Sequence, residues 1–163
     1  MKVQYYQKPV WSAGADADKI VLQNDWMFEI DGVEYWIPAG YECDGASIPA
    51  AFWAFPGIGS PTQGFNAIGA WAHDALYLTH AVERKVADEV AYQLWIQAGK
   101  PKWSARVMWL AIRSPAGAWA YRNTAKDMEE LAKVRKLIRQ RTDQRKFQSL
   151  WFVNRAMPIS ICG

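Results

Sequence analysis

Trp26-Met27-Phe28-Glu29-Ile30-Asp31-Gly32-Val33-Glu34-Tyr35-Trp36-Ile37 is the stretch on which the β part of the fold turns. Two runs rich in aromatic and β-branched residues flank Asp31-Gly32, and a two-residue Asp-Gly connector accepts the positive φ angles of a type I′ turn. A β-hairpin is expected. Before it, residues 1–25 read as an extended arm, with a turn at the small-residue run Ser12-Ala13-Gly14-Ala15 and a short strand over residues 19–23. After it, Pro38-Ala39-Gly40 ends the second strand. Residues 41–49 then read as an irregular segment, because Gly45 and Pro49 punctuate it and Asp44 and Ser47 favour turns and caps.

From there the pattern turns helical. Residues 50–55 fit one helical turn and residues 56–61 a loop; residues 66–78 place Ile68, Ala72, Ala75 and Leu76 at helical spacing. The stripe Val86, Val90, Leu94 and Trp95 marks a helix over residues 86–98, and Gly99-Lys100-Pro101 stops it. The short connection between these two helices suits an antiparallel helical hairpin. A third helix is expected from residue 102 or 103 to 113. Ser114-Pro115 offers an N-cap and first-turn proline for a helix over residues 116–123. A charged helix over residues 124–142 and an apolar return over residues 147–162 complete the chain. The fold class expected is α+β: an N-terminal β-hairpin or small antiparallel sheet packed on a bundle of four to five helices.

With 163 residues the chain fits one domain, and with 51% apolar and 21% charged residues it has a globular composition. No window offers the ~18 consecutive apolar residues of a membrane-spanning helix, and residues 1–6 lack the pattern of a secretion signal, so residence in the cytoplasm is the expectation. Cys43 and Cys162 form no CxxC pair and read as reduced structural thiols. Most of the formal charge of +3 lies between Lys126 and Lys146, where mixed signs indicate a solvated helix face; specific nucleic-acid binding is not expected. Ten tryptophans, from Trp11 to Trp151, suit cores, interfaces, sugar stacking and lipid headgroups without selecting among them.

Three short stretches concentrate polar residues: Asp44-Gly45-Ala46-Ser47-Ile48-Pro49 after a strand, His73-Asp74 with Tyr77 inside an apolar helix, and Asp88-Glu89 at the start of the next helix. Across a helical hairpin, His73 falls opposite residues 88–92, so Asp88 can orient it. A histidine held at one ring nitrogen by a carboxylate presents the other as a general base near neutral pH. Asp74 projects about 100° round the helix and is expected not to share that role. Instead it could bind a hard cation with Asp44, loop carbonyls from residues 41–45 completing an oxygen site. Each element also has an ordinary reading: a satisfied buried His-Asp pair, turn chemistry at Asp44 and Ser47, and a helix-dipole partner in Asp88. Two histidines without paired cysteines do not make a usual zinc site. Absence of GxxxxGK[ST], GxGxxG and GxSxG patterns leaves nucleotide hydrolysis, dinucleotide redox chemistry and that esterase architecture unsupported.

The string Pro38-Ala39-Gly40-Tyr41-Glu42-Cys43-Asp44-Gly45-Ala46-Ser47-Ile48-Pro49, followed by His73-Asp74-Ala75-Leu76-Tyr77 and then Asp88, resembles a domain of unknown function found in small phage and prophage proteins. The likeness covers residues 26–114, leaving residues 1–25 as an N-terminal arm and 115–163 as a C-terminal helical extension of one domain. It implies a phage or prophage origin and no particular activity. His73-Asp74 with Tyr77 also resembles the HDxxY helix of secreted phospholipases A2. That likeness implies His73 as base, Asp74 as calcium ligand and Asp88 as orienter, although the neighbouring disulfides and glycine-rich calcium loop of those enzymes are missing.

Two functions follow as expectations. One is a phage-encoded hydrolase acting on lipid or glycan of the bacterial envelope, through His73 and Asp88 and a divalent cation such as calcium. The other is a non-enzymatic virion or tail component, in which the same cluster locks residues 41–49 onto the helices and the tryptophans contact other virion proteins. Inhibition of a host defence protein is a third reading, with only size and origin in its favour.

Overall fold

The computed structural model describes residues 1–16, 19–45, 58–60, 62, 64–115 and 125–145, with the side chains of the last segment described over residues 128–138. Ser47, Cys162, the helical turn expected at 50–55, the helix expected at 116–123 and the apolar stretch 147–162 lie outside the described residues. Those described form two three-stranded antiparallel sheets and four helices, an α+β architecture. The strands are β1 (Val3–Tyr5), β2 (Trp11–Ala13), β3 (Ile20–Leu22), β4 (Trp26–Ile30), β5 (Val33–Ile37) and β6 (Glu42–Cys43). The helices are α1 (Gly64–Thr79), α2 (Arg84–Ala98), α3 (Lys102–Ile112) and α4 (Ala125–Arg145).

Asp31 (φ 48°) and Gly32 (φ 84°) take the left-handed angles of the expected turn. They set the β4–β5 register, with Trp26 opposite Ile37 and Phe28 opposite Tyr35. Because strand side chains alternate, Trp26, Phe28, Ile30, Tyr35 and Ile37 all reach the core. Tyr5, Trp26, Phe28 and Tyr35 continue as a chain of ring contacts with centroids 5.3–6.0 Å apart. β1 completes this sheet at the edge of β4, with Val3 opposite Ile30.

The second sheet orders β2, β3 and β6. Here the structure departs from the sequence reading twice. The N-terminal arm supplies paired strands β1 and β2 as well as β3, and Glu42 and Cys43 pair with Val21 and Ile20 instead of running irregularly. Strands of two or three residues are too short to show periodicity, and the partners of β1 and β6 lie far away in sequence. Gly40 (φ 86°) makes the bend into β6, its N–H donating to Leu22 O over 2.7 Å while Leu22 N–H donates to Tyr41 O over 3.0 Å.

Helix α1 is buried along nearly its whole length, from Asn66 to Thr79 with Asp74 alone part-exposed. Such all-round burial follows from its place, in contact with α2, α4 and β6. It packs tightly on α2 at Gly69, where an added Cβ would come within 2.6 Å of the Trp95 indole. That indole N–H donates to Asn66 O over 3.0 Å. α2 ends as expected, with Gly99 left-handed (φ 102°) and the N–H of Lys100 returning to Trp95 O. Lys100 is buried, its amine pushed down to about 8 by that burial, and donates to Asn66 Oδ1 (2.6 Å) and Ile58 O (3.2 Å), tying residues 58–60 to the helical hairpin. Leu131, Val134 and Ile138 of α4 join the core beside Trp36 and Tyr41. No helix among the described residues is long and apolar enough to cross a membrane.

Candidate functional site

Four side chains meet where α1 ends and α2 begins. His73 and Tyr77 are one turn apart on α1, Arg84 and Asp88 one turn apart on α2, and the i, i+4 spacing puts each pair on the inward face of the hairpin. His73 Nε2 lies 3.0 Å from Asp88 Oδ1, and the Tyr77 hydroxyl donates to that same oxygen. The imidazole and phenol rings are 3.9 Å apart at their centroids. Asp88 Oδ2 faces Arg84 Nε at 3.9 Å, too long for a hydrogen bond, while Arg84 Nη2 donates to Ile112 O (3.0 Å) and reaches Ser114 O (3.3 Å). Asp88 is thus a node joining α1, α2 and, through Arg84, the end of α3.

His73 is 5% exposed and Asp88 1%, so neither ring nitrogen opens directly to bulk water, contrary to the expectation that one would. With Asp88 ionised, Nε2 carries the proton it donates. Nδ1 then faces Asp74 Oδ1 at 3.8 Å. Asp74, expected from its rotation of about 100° along the helix not to share the orienting role of Asp88, makes no hydrogen bond to the ring. It still comes within ion-pair range, because Nδ1 is the ring nitrogen nearer the backbone and a short carboxylate on the adjacent residue approaches it from the flank.

Burial lowers the His73 pKa, yet the charge of Asp74 and the hydrogen bond and charge of Asp88 outweigh it and hold the imidazolium above its ordinary value. Asp74 moves up to about 6: burial is the largest cause, the nearby charge of Asp44 adds to it, and the neighbouring His73 and Cys43 side chains oppose it. Burial pushes the Tyr77 hydroxyl well up as well, with Asp88 adding to the shift, so it stays a donor. Cys43 is a free, buried thiol kept protonated by burial and by the Asp74 charge. The Asp74 side chain is 19% exposed and is the member of the Asp74-His73-Asp88 row with a path outward, towards exposed Asp44 at the end of β6.

The structure brings together His73, Asp74, Tyr77 and Asp88, places Asp44 within electrostatic range of Asp74, and describes nothing of Ser47. Sequence reasoning missed Arg84, which a cation four residues before Asp88 on one helix face could have signalled. It also missed Cys43, whose role depends on the unforeseen β3–β6 pairing. As a cation site, Asp74 and Asp44 supply two carboxylates, and Cys43, held as a thiol, is a poor ligand. Among the described residues no group of three or more His, Cys, Asp or Glu side chains is placed to hold a metal ion.

A family model described as "Protein of unknown function (DUF1353)" matches residues 20–112, from β3 to the end of α3 and including every member of this cluster. An uncharacterized protein of Sinorhizobium fredii, y4jT, is 29% identical over 99 residues, covering 60% of this chain and 29% of that protein. The chain therefore spans less than a third of that relative's length. No solved structure matches the chain.

Proposed function

We propose a function on one fixed premise: the chain belongs to the DUF1353 family, described as proteins of unknown function. Our reading is that it is a phage-encoded hydrolase acting on lipid or glycan of the bacterial envelope, made in the host cytoplasm. The observation that carries the chemistry is the seating of His73 between two carboxylates, Asp88 at 3.0 Å and Asp74 at 3.8 Å. Asp88 and Tyr77 fix the ring; Asp74, poised to titrate at about 6 and part-exposed, exchanges a proton with a water molecule outside, and its charge 3.8 Å from Nδ1 favours a proton held on His73. A buried row of this kind sets the outermost carboxyl near neutrality, where a general acid or base works best. A divalent cation such as calcium belongs to the same proposal: held by Asp74 and Asp44 it would keep Asp74 ionised, leaving the proton to His73, and would supply charge to polarise the bond being cleaved.

The test is hydrolysis of phospholipid vesicles and of peptidoglycan by the purified chain and by His73→Gln and Asp74→Asn, with and without calcium. Loss of about 100-fold or more in rate with unchanged circular dichroism supports the reading, since general acid–base catalysis contributes roughly that much. A wild-type chain inert on both substrates, with and without calcium, sinks it.

A second reading has its own observation in favour. At 5% and 1% exposure His73 and Asp88 are as buried as core residues, and Tyr77 spends its hydroxyl on the same carboxylate oxygen. A virion or tail component would use such a node to lock α1, α2 and α3 together. In that case the same substitutions unfold the chain and abolish no activity.

A further inference from the structure

Helix α3 turns Ser104, Ala105, Met108 and Ile112 inward, where Ala105, Met108 and Ile112 join Ala70, Ala91 and Trp95. Its other face carries a different chemistry. Trp103 and Leu110 are 55% and 56% exposed, two turns apart in line. Lys102, Arg106 and Arg113 flank them, and α3 contains no Asp or Glu. The two arginines stand over the Trp109 ring at 4.1 and 4.4 Å from its centroid, which orders both guanidinium groups beside the apolar ridge. The carboxylate one turn from Tyr92 on the packed helix, Glu89, accepts from Gln93.

We propose that this outer face of α3 is a docking surface for an anionic phospholipid membrane. An amphipathic helix lying in the headgroup region buries apolar and aromatic side chains at the acyl boundary and sets cations among the phosphates, and both halves are present here on one face. Charge decides against the other occupants. A second copy would bring Lys102, Arg106 and Arg113 against their own equivalents, and residues 146–163 carry Lys146 and Arg155 with no acidic residue. A nucleic acid would meet the cations but would leave Leu110 without a partner. The surface is independent of the chemistry at His73: vesicle binding and hydrolysis are measured separately, and either can fail without the other.

The experiment is flotation of the full chain with vesicles of phosphatidylcholine alone and with vesicles containing phosphatidylglycerol, for wild type, Trp103→Ser/Leu110→Ser and Arg106→Glu. All of these substituted residues are exposed, and thermal unfolding checks that the fold is kept. The expected result is binding to the anionic vesicles only, weakened at least ten-fold, roughly, by the double substitution and about five-fold or more by Arg106→Glu. The proposal is overturned by equal binding to both vesicle types, by no binding at all, or by a double variant that binds like wild type. It is also overturned if the wild type is a dimer that the double substitution dissociates, or if duplex DNA binds and still does so after that substitution.

Discussion

His73 Nε2 and Asp88 Oδ1 lie 3.0 Å apart between two antiparallel helices, and Tyr77 bonds the same oxygen from one turn further along. A buried carboxylate with these partners is hard to replace. Asp88→Ala leaves the ring N–H and the hydroxyl without an acceptor, and breaking a buried pair in this way costs about 3–5 kcal/mol. Asp88→Asn keeps an oxygen in place and is expected to cost clearly less. Urea unfolding of the two variants checks the order; equal losses would mean that the oxygen is not what the pair requires.

Close packing, not polarity, governs the other end of the hairpin. Gly69 abuts the Trp95 indole, whose N–H is engaged by Asn66 O, so the ring has no room to retreat without losing that bond. Gly69→Ala is expected to destabilise by about 1–3 kcal/mol, the usual cost of overpacking, although alanine is the better helix former. A variant as stable as wild type would show that α1 and α2 are not held this close.

The pH dependence has a definite sign. Asp74 stays protonated in the folded chain up to about pH 6, whereas an unfolded aspartate ionises near ~3.9. The folded state therefore holds an extra proton between these values. His73, raised above its ordinary ~6.5, extends the same excess to higher pH. Stability contributed by both groups is lost as pH rises from about 4 through 6 and beyond. Asp74→Asn removes the first part of that slope. Its stability relative to wild type should climb with pH over that window in chemical denaturation; a flat difference would contradict the shift.

Much of the architecture was legible before any coordinates, for reasons residue chemistry makes clear. Asp31-Gly32 announces its turn because few pairs accept two positive φ angles, and Gly99 announces the end of α2 for the same reason. The approach of Asp88 to His73 followed from the short link between two amphipathic helices. What stayed hidden depends on distant partners. Val3 and Glu42 become strand residues only because Ile30 and Val21 pair with them. The ion-pair approach of Asp74 to His73 at 3.8 Å was not foreseen, because side chains were treated as rays from a helix axis while the ring nitrogen near the backbone lies close to its neighbour.

The proton on His73 is the most direct probe of the whole arrangement, and with only two histidines in the chain its ring nitrogens are readily assigned by substituting His80. A nitrogen-15 NMR titration of the imidazole should show Nε2 protonated throughout and a pKa above ~6.5, falling when Asp74 or Asp88 becomes asparagine. An Nε2 that loses its proton in the neutral ring, or a pKa at or below that value and indifferent to both carboxylates, would contradict the proton row from Asp74 to Asp88.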